Sequence, residues 1–318
     1  MSDRSSFSLL CSAEFRKLRG RGLLPAVLLF GAAHGIAAGL GIRALELLGG
    51  KALDASGVES SRDLLDFTVA GEVALQLAAA PIHGFAMLLL FAILWAEDFS
   101  LGTMAMIVSR PVARWRVFAA KFTVGSCCAA ASLLMALLTA LVLGTALFGL
   151  NGDLSALESI PLVGWMAALP SLPMRLIHLL SGVLAGTLVL LPALGITALL
   201  GNLSRSPVLT LFSSLLILLA DFFAHGILSI WSNSQLRGAE LAEMVQPWTL
   251  WGSGRALFKI HGPWAESWTI EAASVQTAEL VNDPSLWSQL GQPLLGTLIW
   301  TLLFTSLGLL LFRSRDVS

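Results

Sequence analysis

Trp95-Ala-Glu-Asp-Phe-Ser-Leu-Gly-Thr-Met-Ala-Met-Ile-Val-Ser-Arg-Pro-Val-Ala-Arg-Trp-Arg-Val-Phe-Ala-Ala-Lys121 is the stretch on which the reading of this chain turns. An apolar run that begins near Leu75 stops at Glu97 and Asp98, and the next long one starts only after Arg110, Arg114, Arg116 and Lys121 have passed. Crossing a bilayer takes about 20 apolar residues. The two flanking runs are long enough, and Phe99 to Val108 between them is not. The stretch therefore joins two spans, and its basic cluster puts it on the cytoplasmic side. Phe99 to Val108 is expected to lie along the membrane surface as a short helix, within a coupling segment at 97–110. Ser109-Arg110-Pro111 closes it. A proline disfavours helix in the residue before it and suits the first turn of a helix that follows. Arg110, Arg114 and Lys121 then share one helical face.

Composition supports a membrane protein throughout. Hydrophobic residues make up 56% and charged residues 12%, where a soluble domain has about 25% charged. Mean hydropathy is +0.81. The net charge of −1 says nothing about partners, and no feature of the chain points to nucleic acid. Cys11, Cys127 and Cys128 fall in apolar or cytoplasm-facing stretches and suggest no disulfide framework. With 10 tryptophans and no tyrosine, Trp supplies much of the interfacial aromatic belt.

Taken in order, Ser5 to Arg21 sets Phe7, Leu10, Cys11, Phe15 and Leu18 at helical spacing, with Glu14, Arg16, Lys17, Arg19 and Arg21 on most of the other face. This reads as an amphipathic helix in the inner interface, its basic face towards headgroups. The first span, Leu23 to Ile42, carries Gly31, Gly35 and Gly39 on one face, a spacing that lets a second helix approach closely. His34 beside them reads as a hydrogen-bonded interior residue. Arg43 to Glu72 is polar, net acidic and expected outside. A second span, Leu75 to Trp95, returns to the connector. The third runs from Val117 to Phe148 and the fourth from Pro173 to Leu200. A tight inner turn at Gly201 to Pro207 leads to the fifth, which ends near Trp231. Ser232 to Gln292 is the long outer segment, with a short amphipathic helix at Leu236 to Val245, and the sixth span is Pro293 to Phe312. The fold class is thus all-α, a single domain over 1–318 with six transmembrane helices and both termini cytoplasmic. Lys and Arg counts in the short loops favour this orientation.

No chemistry of catalysis appears. A phosphate-binding loop would read Gly-x-x-x-x-Gly-Lys-Ser/Thr. Around Gly50-Lys51 the outer positions are Leu45 and Ala52 instead. There is no His-Glu-x-x-His helix and no Gly-x-Ser-x-Gly elbow. Gly252-Ser253-Gly254, with His261 nearby, reads as flexible backbone. Cys127, Cys128 and the methionines Met104, Met106 and Met135 read as apolar filling rather than a metal route. No catalytic residue, metal ligand or cofactor is assigned. Asp221 and His225 are more informative. A carboxylate at the centre of a spanning helix costs roughly 2.5 to 3.5 kcal/mol, and these two lie one turn apart in the fifth span. They read as a structural pair facing the bundle or the outer interface, with substrate contact or an ion site as the alternatives.

The ordered combination of Glu97-Asp98, Gly102-Thr103, a few apolar residues, Ser109-Arg110-Pro111-Val112, Arg114 and Lys121 resembles the cytoplasmic loop of ATP-binding-cassette export permeases of the second type. Leu203-Ser204-Arg205-Ser206-Pro207 and the Arg313-Ser314-Arg315-Asp316 end are similar to that family as well. The resemblance implies a dimer of permease subunits, a homodimer or a heterodimer, in the bacterial cytoplasmic membrane. It also implies separate ATPase subunits that hold ATP and Mg and dock on the loop. In that reading Glu97 and Asp98 bear on the ATPase, Gly102 and Thr103 permit close approach, and Arg110, Pro111 and Arg114 set and anchor the loop. The alternative is an ATP-independent secondary transporter or channel, which would be expected to show inverted repeats or interrupted helices at the midplane.

Overall fold

The computed structural model describes residues 3–54, 67–78, 81–104, 113–149, 172–232, 239–250, 252–254 and 284–314. Among these the chain is all-helical, with no strand. The helices are α1 (Asp3–Gly20), α2 (Leu23–Asp54), α3 (Phe67–Ala78), α4 (Pro81–Ser100), α5 (Arg114–Phe148), α6 (Leu172–Ser204), α7 (Pro207–Ser232), α8 (Ala239–Val245) and α9 (Pro284–Ser314). Six segments are long and apolar enough to span a membrane: Leu23–Ala44, His83–Ser100, Arg114–Phe148, Arg175–Ser204, Pro207–Ser232 and Gly291–Ser314. This is an integral membrane protein.

Packing follows the small residues. Gly31, Gly35 and Gly39 all face α5. A Cβ on Gly31 would meet the backbone of Ser132, one on Gly35 would meet Ala136 and Thr139, and one on Gly39 would come within 2.8 Å of Leu143 Cδ2. The α2 and α5 backbones therefore touch where lipid supplies no drive of its own for association. Gly201 plays the same part between α6 and α4, its missing Cβ falling 2.8 Å from Trp95 Cβ. Asn202 Nδ2 donates to the Gly308 carbonyl at 3.1 Å and joins α6 to α9.

Two regions of core result. The larger gathers Leu18 of α1, Val27 of α2, Trp95 of α4, Phe118 of α5, Leu194 of α6 and Phe312 of α9. A smaller one joins α2, α3 and α5 through Ala38, Ile42, Val69, Ala70, Ala140 and Phe148.

Three sequence expectations change here. The helix of the first span, α2, does not end at Ile42 but continues to Asp54. The second span is preceded by a separate helix, α3, most of which is buried, and α4 starts afresh at Pro81. Glu72, expected in a polar outer segment, lies on α3 at 0% exposure, its Oε2 3.6 Å from Nε2 of the equally buried His178 on α6. The run Phe67-Thr-Val-Ala-Gly-Glu-Val-Ala is apolar apart from Thr68 and that one acid. Its burial brings Glu72 inside, where a buried charge needs a partner.

Candidate functional site

The carboxyl end of α4 carries the residues singled out in the sequence. Glu97 and Asp98 are not on a surface loop helix; they form the last turn of α4. Asp98 is 2% exposed. Its Oδ2 accepts from Lys121 Nζ of α5 at 2.6 Å and from Lys17 Nζ of α1 at 2.7 Å. Lys121 is the most deeply buried cation described, with 1% of its side chain exposed. Its three donors find three acceptors: Asp98, the Leu94 carbonyl at 2.8 Å and Glu14 Oε2 at 3.4 Å. Lys17 also pairs with Glu14 Oε1 at 3.0 Å. At the rim, Arg21 pairs with Glu97.

Two lysines and two carboxylates thus form a neutral, closed cluster binding α1, α4 and α5 together. Breaking one partner out of such a buried pair is costly, because it strands a charge. Burial by itself would lower the pKa of Lys17, but Glu14 and Asp98 outweigh it and the ammonium is held above its ordinary value of 10.5. The rim pair of Arg21 and Glu97 is partly exposed and adds little, about 0–1 kcal/mol.

Glycine ends α4. Leu101 N–H bonds to the Glu97 carbonyl at 2.9 Å and Gly102 N–H to that of Phe99 at 3.1 Å. Gly102 has φ +69, with nothing within 4 Å of where its Cβ would sit. Its requirement for glycine is conformational, a left-handed stop to the helix, and not room for close approach inside this chain. Thr103 turns back, its Oγ1 3.2 Å from the Asp98 carbonyl and 3.3 Å from Asp98 Oδ1. Arg114 donates to the Arg313 carbonyl at 3.0 Å, so it ties the start of α5 to the last turn of α9. Arg110 and Pro111, with residues 105–109 of the expected 97–110 coupling segment, lie outside the described residues.

The expected separation of α1 into an apolar face and a charged face is corrected by Glu14 and Lys17, which turn inward. Glu14 was recognisable in retrospect: it is four residues from both Leu10 and Leu18, on the stripe that buries Leu18. Lys121, seven residues after the first residue of α5, is the matching signal.

Asp221 and His225 form a second polar site, and each turns to the outer segment. Asp221 Oδ1 accepts from the Leu250 N–H at 3.0 Å, and His225 Nδ1 lies 3.0 Å from Thr249 Oγ1. Thr249 Oγ1 in turn accepts from Gly252 N–H at 2.9 Å. Ser253 is 1% exposed, and its hydroxyl donates to the Thr249 carbonyl at 2.9 Å. Gly252 to Gly254 is therefore helical and buried, not a loose loop. Among the described residues no three metal-ligating side chains converge. The Cys11 thiol is pushed up by burial, with Cys127 and Glu14 adding to the shift, which makes it a poor nucleophile.

A family described as a protein of unknown function, DUF2705, matches residues 53–242, well over half of the chain. The chain belongs to this family. The DUF2705 match takes in α3 to α7, the connector and Asp98, Lys121, Asp221 and His225, while α1 and α9 lie outside it. No curated protein and no solved structure matches the chain.

Proposed function

We propose that this chain is the membrane subunit of an ATP-binding-cassette exporter. It works as a dimer whose separate ATPase subunits, carrying ATP and Mg, engage the connector between α4 and α5 from the cytoplasm. Both termini lie on that side, with α1 in the inner interface of a bacterial cytoplasmic membrane. One observation carries the reading: the connector springs from a root at which α1, α4 and α5 are held by the Glu14, Lys17, Asp98 and Lys121 cluster. A push on residues 101–112 would be delivered to three helices at once and carried outward by α4 and α5. In this form of the proposal Glu97 and Asp98 are positioning residues that stiffen the root. The ATPase contact falls to the residues beyond Ser100, beginning with the exposed Leu101.

The second reading is an ATP-independent transporter or channel, which would be expected to show inverted repeats or helices interrupted at the midplane. A photo-crosslinking amino acid at Leu101, in native membranes, separates the two. The exporter reading expects an adduct to a polypeptide with a phosphate-binding loop, and no ATP binding by the purified chain alone. ATP bound by the purified chain, or the absence of any such adduct, would refute it.

A further inference from the structure

Two histidines of the spanning helices meet away from both polar sites. His34 of α2 and His83 of α4 have ring centres 5.3 Å apart and planes at 78°. His83 is 0% exposed. Both of its ring nitrogens, and Nε2 of His34, are buried with no hydrogen-bond partner among the described residues. The expectation that His34 is a hydrogen-bonded interior residue therefore fails at Nε2. Folded proteins pair nearly all of their buried polar atoms, so three such nitrogens at one contact point to a ligand. His83 lies about 22 Å along α4 from Asp98, at 1.5 Å per residue. That distance sets it inside an apolar slab about 30 Å thick, where an ionisable side chain marks a functional site by default.

Imidazole, the commonest metal ligand, is all that this contact supplies. No third His, Cys, Asp or Glu joins the pair among the described residues. Phe30 closes one side without a polar atom, its ring centre 5.8 Å from that of His34 and 5.5 Å from that of His83. A bound ion sits about 2 Å from an imidazole nitrogen, so two rings can share one ion when their centres lie within about 6 Å. At 5.3 Å these do. His χ2 is a broad torsion, which lets each ring turn a nitrogen to the shared point. Two considerations then select the ion. Zinc takes four ligands, two more than the pair gives. The cost of burying a charge grows with its square, so a divalent ion with no carboxylate beside it costs about four times as much as a monovalent one. Copper(I) is monovalent, is stable with two ligands and accepts imidazole. An aromatic ring within about 6 Å adds its own attraction for a cation.

We propose that His34 and His83 form an intramembrane binding site for copper(I), held between α2 and α4 by one nitrogen from each ring, beside Phe30. The ion ties the first span to the start of α4. His34, which is only partly buried, is the side from which the ion enters; His83 holds it from within. The inference goes beyond the exporter reading and needs no ATPase, so its test stands apart from that one.

The experiment uses the full chain, purified in detergent, with Cys11→Ser, Cys127→Ala and Cys128→Ala so that no thiol competes for the ion. Copper(I) buffered by bicinchoninate is added without oxygen, and the copper retained per chain is measured together with its X-ray absorption spectrum. One ion per chain with nitrogen neighbours is expected, displaced by silver(I) and not by an equal free concentration of zinc(II). His34→Phe and His83→Phe each remove a ligand and weaken retention at least about a hundredfold, the upper end of what losing a mere supporting contact costs a metal site. His225→Ala, elsewhere in the bundle, leaves retention unchanged. The spectrum of the chain with both histidines in place needs no folded His variant. No copper retained by that chain, a spectrum without nitrogen neighbours, tighter binding of zinc(II), or equal retention in the two Phe variants would each overturn the site.

Discussion

Asp98→Leu tests the architecture of the charged cluster most directly. Asp98 and Lys121 have 3% and 1% of their side chains exposed, and the bond between them is 2.6 Å long. Deleting the carboxylate leaves Glu14 alone against Lys17 and Lys121, one uncompensated positive charge in a closed site. Removing one partner of a buried pair costs about 3–5 kcal/mol. Lys121 keeps the Leu94 carbonyl at 2.8 Å and Glu14 at 3.4 Å, which puts the expected loss at the lower end, about 3 kcal/mol. Asp98→Leu combined with Lys121→Met behaves differently. It leaves the 3.0 Å pair of Glu14 and Lys17 intact and puts apolar side chains where the ions were. Such replacements are often neutral, so the double variant should lie within about 1 kcal/mol of wild type. The assay is SDS-titrated unfolding in mixed micelles at pH 7, followed by tryptophan fluorescence, with Trp95 at 0% exposure one turn from Asp98 as the reporter. A double variant as unstable as the sum of the two single ones, or an Asp98→Leu within about 0.5 kcal/mol of wild type, would refute the closed cluster.

Gly35→Leu places a side chain against Ala136 and Thr139, with its Cβ 2.9 Å from Ala140 N. Overpacking against backbone should cost at least about 3 kcal/mol and abolish the monodisperse peak in size-exclusion chromatography. Gly41→Leu, with nothing within 4 Å, should leave that peak unchanged. Lys17 has a raised pKa, so its ion pairs contribute fully below pH 10.5 and are lost as pH climbs through the higher folded value. The difference in melting temperature between wild type and Lys17→Met should therefore be constant from pH 8 to about 10 and shrink above pH 10.5; a difference that widens with pH would contradict the assignment.

The two polar sites answer the same physical demand at opposite ends of the bundle. At the carboxyl end of α4, four ionic groups from three helices neutralise one another and hold α1, α4 and α5 together. At the other site, Asp221 and His225 meet the Leu250 N–H and the Thr249 hydroxyl. A carboxylate in a spanning helix thereby accepts from the Leu250 N–H.

Element type and the number of spans were legible from the chain alone, because a run of 20 or so apolar residues has few other ways to satisfy its backbone in lipid; the bounds of the second span were not, since Leu75 to Trp95 is shared between α3 and α4. The Gly31, Gly35 and Gly39 stripe was legible for the same reason, since its spacing is a property of one helix. Only the partner helix, α5, had to come from the structure. What sequence could not show was which charges leave the surface. Lys121, Asp98, Lys17 and Glu14 look like ordinary interfacial charges when each helix is read by itself. They become a buried cluster only when α1 folds back across α4 and α5 and brings residues 81 and 107 positions apart within bonding distance. Glu72 went inside because α3 packs against α5 and α6. Likewise Asp221 and His225 point to Thr249 and Leu250, more than twenty residues on, across a contact that no helical periodicity encodes. Local pattern determines where a helix runs in the membrane; pairing of charges between helices is a long-range event, and only the tertiary structure decides it.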